Sequence, residues 1–245
     1  MTERIVLAHL PTPIEPLPKL TKLLQGPQLF IKRDDLTGLG LGGNKTRKLE
    51  YLAADALAQG CRMLITTGAV QSNHCRQVAA AAARLGLGCI LVLAGEDPGS
   101  RQGNLLLDEL SGAKLVFVPK EERDQRLQQA FAHAKEDGLQ PYLIPYGGSN
   151  PIGVQGYIQA MNELQDQNLQ PDWIVLASSS GGTQAGLALG AEQTSFPGRI
   201  LGISVDKPAD ELTQTIMALA NQTAAWLGID KKIESEDVLV NDAYC

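Results

Sequence analysis

Basic residues are too few in this sequence to give it a positive surface. Its 245 residues include 21 Lys and Arg against 27 Asp and Glu, a formal net charge of −6. Binding to a nucleic-acid backbone needs a basic footprint, so we do not expect nucleic acid as a partner. Hydrophobic residues make up 44% of the chain. A chain of this size can bury roughly 70–75% of its unfolded surface, which predicts one or two folded domains.

Cysteines and long apolar runs are also scarce. The four cysteines contain no C-x-x-C pair, which excludes a disulfide scaffold and the usual zinc spacings, and we expect no metal: Cys61, Cys75, Cys89 and Cys245. No stretch approaches the ~18 apolar residues of a membrane span, and the run at 5–10 is too short for a signal peptide. We therefore expect a cytoplasmic protein with no membrane partner.

Apolar runs rich in β-branched residues alternate with longer stretches rich in alanine and leucine, which predicts a parallel α/β fold. The predicted strands are 29–32, 63–66, 89–93, 114–118, 142–144, 173–177, 200–204 and 238–240. The predicted helices are 44–59, 73–86, 101–111, 120–137, 151–168, 183–193 and 208–228.

A cluster of turn-forming residues at 145–151 predicts a boundary between two α/β lobes. We assign 1–43 to an N-terminal arm and first strand that pack with the second lobe, 44–147 to the smaller lobe and 148–245 to the second. The prolines of the arm predict that it is extended and irregular: Pro11, Pro13, Pro16 and Pro18.

A glycine-rich loop at 38–43 leads directly into a helix. Gly38, Gly40 and Gly43 match the dinucleotide-binding pattern, but no acidic residue follows at the end of the next strand. The nucleotide-triphosphate loop also fails, because Asn44 separates the last glycine from Lys45. A nicotinamide oxidoreductase is therefore only a weak alternative.

Three cations, Lys45, Arg47 and Lys48, crowd the first turn of that helix. The helix dipole disfavours cations there, so a bound anion is expected to compensate them. A lysine beside other cations also has the lowered pKa of a nucleophile or base. The alternative is a set of solvated surface lysines.

Three further loops follow predicted strands and precede helices, at 66–74, 145–151 and 178–186. In the first, a helix N-terminus with Ser72 or Asn73 as its cap suits a carboxylate, unless Ser72 only caps the helix and His74 only packs. Small residues in the last suit a phosphate, whereas 145–151 could be a hinge alone. The carboxyl ends of parallel strands converge on one crevice, where we expect these loops to meet.

Three motifs, at 42–52, 71–74 and 179–183, resemble those of the fold-type II pyridoxal-phosphate enzymes. The branch is that of D-cysteine desulfhydrase and 1-aminocyclopropane-1-carboxylate deaminase, and the resemblance runs from about residue 10 to the end of the chain. It implies two lobes of parallel sheet flanked by helices, similar to the tryptophan synthase β-like fold.

The resemblance also implies roles for individual residues. Lys45 is the catalytic lysine that forms a Schiff base with the cofactor, and Asn73 binds the 3-oxygen of its ring. Ser72 takes part in catalysis, and the substrate is bound by Ser72, Asn73 and His74. The phosphate is held by Lys48 and the serine-glycine loop, namely Ser180, Gly181, Gly182 and Thr183.

The implied activity is that of a pyridoxal-phosphate lyase or deaminase acting on a small amino acid. His74 favours conversion of D-cysteine to pyruvate, hydrogen sulfide and ammonia, because the deaminases have glutamine at the matching position. A 1-aminocyclopropane-1-carboxylate deaminase and a lyase for a sulfonated amino acid remain open. The oligomeric state is not determined, and a homodimer is one option.

The family continues beyond the point that matches 238–245, into a glycine-rich loop and a segment that contacts the pyridine ring. The sequence therefore resembles a truncated member, and we expect the 245-residue chain to bind the cofactor weakly and turn over slowly or not at all. We also expect uncovered apolar faces in the second lobe. An inactive or binding-only relative is the remaining alternative.

Overall fold

A computed structural model describes residues 3–245 as an α/β protein with three sheets; residues 1 and 2 of the predicted arm lie outside the described residues. No helix in the described range is long and apolar enough to cross a membrane. The strands are β1 (Ile14–Pro16), β2 (Phe30–Lys32), β3 (Met63–Ala69), β4 (Gly88–Ala94), β5 (Lys114–Val118), β6 (Pro141–Leu143), β7 (Trp173–Ser178), β8 (Arg199–Ser204) and β9 (Leu239–Asn241). The helices are α1 (Pro18–Leu24), α2 (Lys45–Ala58), α3 (Asn73–Leu85), α4 (Gly103–Leu110), α5 (Arg123–Glu136), α6 (Pro151–Asp166), α7 (Gly182–Thr194) and α8 (Ala209–Leu227).

A four-stranded parallel sheet has the order β5-β4-β3-β6. Its central strands β3 and β4 are buried along most of their length, and β4 is a continuous apolar run. Such runs belong to strands that are covered on both faces. Helix α3 packs on one face through Val78 and Ala82, and α5 on the other through Leu127 and Ala134. This sheet is the rigid support for the loop between β3 and α3.

A three-stranded parallel sheet has the order β7-β8-β9. One face is covered by helices, and the core there includes Leu189 of α7 and Ile216 of α8. Residues alternate in burial along β7, and Trp173 and Val175 are 47% and 60% exposed on the other face. This sheet positions the loop between β7 and α7.

Helices α2 and α6 connect the two parallel sheets. A Cβ atom on Gly156 of α6 would lie 2.3 Å from the carbonyl oxygen of Arg47 on α2. Likewise, a Cβ on Gly186 of α7 would lie 2.5 Å from Cβ of Tyr157 on α6. Because glycine has no side chain, the three helix backbones approach closely and bring the loops of both sheets together.

A buried ion network joins the N-terminal arm to α2 and α6. The guanidinium of Arg47 is almost completely buried and bonds to both Asp34, at 2.8 and 2.9 Å, and Glu163, at 2.9 Å. Its Nη2 also donates to the Thr12 hydroxyl, and the Tyr157 hydroxyl donates to Asp34. Despite burial, hydrogen bonds from Arg47 lower the pKa of Glu163 to about 2. The network fixes the orientation of α2.

The predicted α/β fold is confirmed, and each predicted strand and helix lies within a few residues of an observed one. The prediction of an irregular N-terminal arm is wrong between residues 14 and 24. Ile14–Pro16 pairs antiparallel with β2, and α1 follows. Pro18 occupies the first position of α1, where the missing N–H costs no helical hydrogen bond.

Candidate active site

The loops singled out in the sequence meet at the carboxyl ends of the parallel strands. One follows β3, a second follows β6 and a third follows β7, and the first turn of α2 lies among them. Direct contacts show this convergence. The Lys48 ammonium of α2 donates to the carbonyl of Gly147 after β6, and Ser149 of the same loop bonds to Ser180 after β7.

Side chains of α3 hold the glycine loop and the start of α2 in place. Arg76 donates to the carbonyl oxygens of Gly40 and Gly42, the latter at 2.9 Å. Gln77 accepts hydrogen bonds from the backbone N–H of Thr46, at 2.8 Å, and from its hydroxyl, at 3.0 Å. The backbone next to Lys45 is therefore fixed by a helix that begins in a different loop.

Lys45 and Lys48 lie in this site without an ion pair. Within the described residues, neither ammonium contacts a carboxylate, and Lys45 bonds only to Oδ1 of Asn44 at 3.2 Å. Burial lowers the pKa of Lys45 from 10.5 to about 8. Burial, with repulsion from Lys45, lowers the pKa of Lys48 well below its ordinary value. The site thus holds two lysine amines whose protonated forms are disfavoured.

The three cations of the first turn have different environments. Arg47 is compensated by the carboxylates of Asp34 and Glu163, so it does not need the bound anion that the sequence led us to expect. Lys48 is almost completely buried, and the alternative of a solvated surface lysine is wrong for it. The requirement for an external anion rests on Lys45 and Lys48.

The N-terminus of α7 forms a small pocket beside Lys48. No side chain caps this helix, and its first turn begins at Gly181 with φ at 77°. A Cβ on Gly182 would lie 2.4 Å from Oγ of Ser149 and 2.8 Å from Nζ of Lys48. The hydroxyls of Ser149 and Ser180 are 2.8 Å apart. Uncapped N–H groups, hydroxyls and an ammonium are the donors that bind a phosphate.

Ser72 and Asn73 begin α3 at the end of β3. Ser72 is the N-cap, and its Oγ accepts from the N–H of Cys75 at 3.2 Å. The Ser72 side chain also hydrogen-bonds to the Cys75 side chain, which offsets in part the effect of burial on the pKa of that thiol. Asn73 is exposed, and its Oδ1 accepts from Asn104 at 2.9 Å. Nδ2 of Asn73 therefore remains a donor that a ligand can use.

His74 is buried beneath the two lysines. The Thr66 hydroxyl donates to the carbonyl that follows β6, so it accepts from Nε2–H of His74 at 2.9 Å. Nδ1 makes no hydrogen bond of normal geometry within the described residues. Burial, Lys45 and Lys48 lower the pKa of His74 well below its usual value, and the nearby Pro145 carbonyl offsets this only in part. The imidazole is neutral, which avoids a third positive charge in the site.

The structure brings the predicted site residues of α2, α3 and the loop before α7 into one region. Thr183 is half-buried in the first turn of α7. Sequence reasoning gave no role to Gln77, Asn104 or Ser149. Ser149 lies in a loop that the sequence had marked by its turn-forming residues, whereas Gln77 and Asn104 carry no local signal.

A family model described as "Pyridoxal-phosphate dependent enzyme" matches residues 5–242. A relative from Pyrococcus abyssi, named putative 1-aminocyclopropane-1-carboxylate deaminase, is 42% identical over 238 residues, covering 94% of this chain and 71% of the relative. A relative from Yersinia pestis, named D-cysteine desulfhydrase, is 41% identical over 237 residues, covering 92% of this chain and 71% of the relative.

Among solved structures, the chain is similar to one described as an ACC deaminase homologue. The TM-score is 0.90 at 39% sequence identity, and the match covers 98% of this chain and 74% of the other. A T.th. threonine deaminase matches with a TM-score of 0.64 at 26% identity, covering 79% of this chain and 59% of the other.

Proposed function

This chain belongs to the pyridoxal-phosphate dependent enzymes, and from that premise we propose that it converts D-cysteine and water to pyruvate, hydrogen sulfide and ammonia. The family membership supports the coarser activity, a lyase or deaminase that uses pyridoxal phosphate. The substrate and the residue roles below are our proposal.

One observation carries the proposal: within the described residues, Lys45 and Lys48 have no carboxylate partner, and the buried Lys48 faces an uncapped helix start and two serine hydroxyls. Pyridoxal phosphate offers an aldehyde for one amine and a phosphate dianion for the other. Lys48, Ser149 and Ser180 fit the phosphate, with the N–H groups of Gly182 and Thr183. A side chain at position 182 would fill the pocket at the start of α7, and glycine leaves it open.

Lys45 fits the aldehyde. With the pKa of Lys45 lowered to about 8, roughly a tenth of its amines are neutral at pH 7 and can act as nucleophiles. The same amine, displaced by the substrate, is a base for the Cα proton. Bound pyridoxal phosphate supplies the electron sink that stabilises negative charge at Cα.

The start of α3 fits the substrate and the ring. The Ser72 hydroxyl can donate to the substrate carboxylate when it turns away from Cys75, and Nδ2 of Asn73 can donate to the 3-oxygen of the ring. His74 lies below them with Nε2 engaged by Thr66. A neutral imidazole at this depth shapes the floor of the site and adds no charge next to the departing thiolate.

The chemistry favours D-cysteine over 1-aminocyclopropane-1-carboxylate. D-Cysteine has a hydrogen on Cα and a leaving thiol on Cβ, so one amine base such as Lys45 is sufficient for elimination. The cyclopropane amino acid has no hydrogen on Cα, and opening its ring requires a group that acts on a ring methylene. The curated relatives carry both names at 42% and 41% identity, so the deaminase is kept as the second candidate.

The test is reduction of the cofactor-loaded protein with borohydride, followed by peptide mapping. We expect the label on Lys45 and its loss in Lys45→Met, with Lys114→Met as a control at an exposed lysine of β5. Pyruvate and 2-oxobutanoate are then measured with the two substrates at equal protein. Label on another lysine contradicts the assignment of Lys45, and preferential formation of 2-oxobutanoate favours the deaminase.

A further inference from the structure

The loop that begins α3 is bound to the start of α4. Nε2 of Gln71 donates to the carbonyl of Gln102 at 3.1 Å, and the N–H of Asn104 donates to Oε1 of Gln71 at 2.9 Å. Nδ2 of Asn104 donates twice, to the carbonyl of Gln71 at 2.8 Å and to Oδ1 of Asn73 at 2.9 Å. One side chain thus connects two residues of the proposed substrate loop.

These contacts fix which way each amide points. The carbonyl of Gln71 can only accept, so the group of Asn104 that faces it must be the NH₂. The same NH₂ faces Asn73, whose nearer atom must therefore be the oxygen. Arg76, which has only donors, lies 3.4 Å from that oxygen and requires the same orientation. Nδ2 of Asn73 is left to donate to a ligand.

The close approach of the two loops depends on Gly103. Its φ is 55°, a conformation that side chains rarely adopt, and a Cβ there would lie 2.7 Å from Oε1 of Gln71. The turn before α4 is therefore shaped to admit the Gln71 side chain. This geometry places Asn104 next to Asn73.

We propose that Asn104 is a positioning residue that holds the Asn73 amide with Nδ2 directed at the 3-oxygen of the cofactor. The inference rests on the proposed function, which supplies the ligand for Asn73. Asn104 itself does not touch the cofactor. It acts by fixing the direction of a hydrogen bond, so its effect depends on whether residue 104 can donate.

Asn104→Asp tests this direction with almost no change in shape. A carboxylate cannot donate to the two oxygens that Asn104 now contacts. The 3.4 Å contact with Arg76 is too long to outweigh this repulsion, so the Asn73 amide should turn over and present its oxygen to the ring. We expect pyridoxal phosphate to bind about tenfold more weakly, the value of one lost hydrogen bond. The pH midpoint of the bound cofactor's absorbance change should rise, because a donor to the 3-oxygen stabilises its anion.

Two variants serve as controls. Asn104→Ala removes the donor without forcing the amide to turn, so its shift in pH midpoint should be smaller than that of Asn104→Asp. Asn168→Asp makes the same substitution at an exposed asparagine, which donates to the backbone carbonyl of Asp166 at the end of α6. It should bind pyridoxal phosphate with the affinity and pH midpoint of the wild type.

A cofactor-free measurement separates this inference from the proposed function. In NMR spectra, the Asn73 side-chain amide is identified as the signal that disappears in Asn73→Ala. Its exchange with water should slow in Asn104→Asp, because the turned amide donates to the new carboxylate. Unchanged exchange, or equal affinity and pH midpoint for wild type and Asn104→Asp, overturns the role of Asn104. Failure of the wild type to bind pyridoxal phosphate overturns the proposed function, and the exchange data then decide the role of Asn104 alone.

Discussion

Replacing Lys45 by methionine should make the cofactor-free protein more stable at neutral pH. Burial lowers the pKa of Lys45 from 10.5 to about 8, so the folded state binds this proton less tightly than the unfolded chain. Between pH 8 and 10.5 the unfolded chain therefore carries more protons, and wild-type stability rises with pH in that window. Below pH 8 the Lys45 amine is protonated in both states, and its desolvation lowers the free energy of unfolding by the full amount.

The size of the effect follows from the shift. A pKa that falls from 10.5 to about 8 corresponds to about 3 kcal/mol, at about 1.4 kcal/mol per pH unit. Removing the Lys45 charge also relieves the repulsion that it exerts on Lys48, which acts in the same direction. The packing difference between lysine and methionine is independent of pH and cancels when profiles are compared.

The assay is urea unfolding of the cofactor-free proteins between pH 7 and 10, followed by far-ultraviolet circular dichroism. The stability advantage of Lys45→Met over the wild type should be largest near pH 7 and decrease steadily above pH 8. Lys114→Met makes the same substitution at an exposed position and serves as the control. A constant difference between Lys45→Met and the wild type would refute the idea that the Lys45 ammonium is desolvated without a counter-ion.

Three further predictions concern the site and its support. Gly182→Ala should weaken pyridoxal-phosphate binding at least tenfold in an equilibrium titration, because its Cβ would lie 2.4 Å from a serine hydroxyl. The control is Gly26→Ala, whose Cβ would lie 3.7 Å from a carbonyl oxygen; it should bind pyridoxal phosphate with the affinity of the wild type. Ser72→Ala should lower kcat by about 10²–10³ and retain the spectrum of the bound cofactor, whereas an unchanged rate would reduce Ser72 to a helix cap. Burial raises the pKa of Asp108 from 3.8 to about 7, so the folded state binds this proton more tightly and wild-type stability should fall as pH rises through that window. Asp108→Asn should remove this fall in urea unfolding, and identical slopes for the two proteins would contradict it.

The sequence predicted the parallel strands well because their apolar runs directly reflect burial. Helix α1 was missed for the same reason: it has no buried residue, and Leu20, Leu23 and Leu24 are exposed. These leucines have helical spacing, but the segment is only seven residues long and gives too short a pattern to predict a helix. The prolines before it suggested an irregular arm, although Pro18 starts the helix.

In the site, likewise, residues in local motifs could be predicted and residues with distant partners could not. Lys45 and Ser72 lie in local motifs, and the sequence placed them at the start of a helix, where the structure has them. The partners of Arg47 could not be predicted, since Glu163 lies 116 positions away along the chain. Asn104 was missed because its hydrogen bonds join the exposed starts of α3 and α4, where no pattern of burial marks the residues.

Both tryptophans of the chain, Trp173 and Trp226, lie on β7 and α8, where they are 47% and 50% exposed. In the folded protein, the wavelength of their maximum emission should therefore be close to that of indole in water, and it should shift little on unfolding. The four-stranded sheet contains no tryptophan, so its loss would leave the tryptophan signal unchanged. A fluorescence transition would report on the surroundings of β7-β8-β9, and its midpoint should be compared with circular dichroism before the two sheets are treated as one cooperative unit. Trp173, with the Arg199 guanidinium 5.3 Å from its ring, is in turn a natural reporter for any molecule that covers the exposed sheet face.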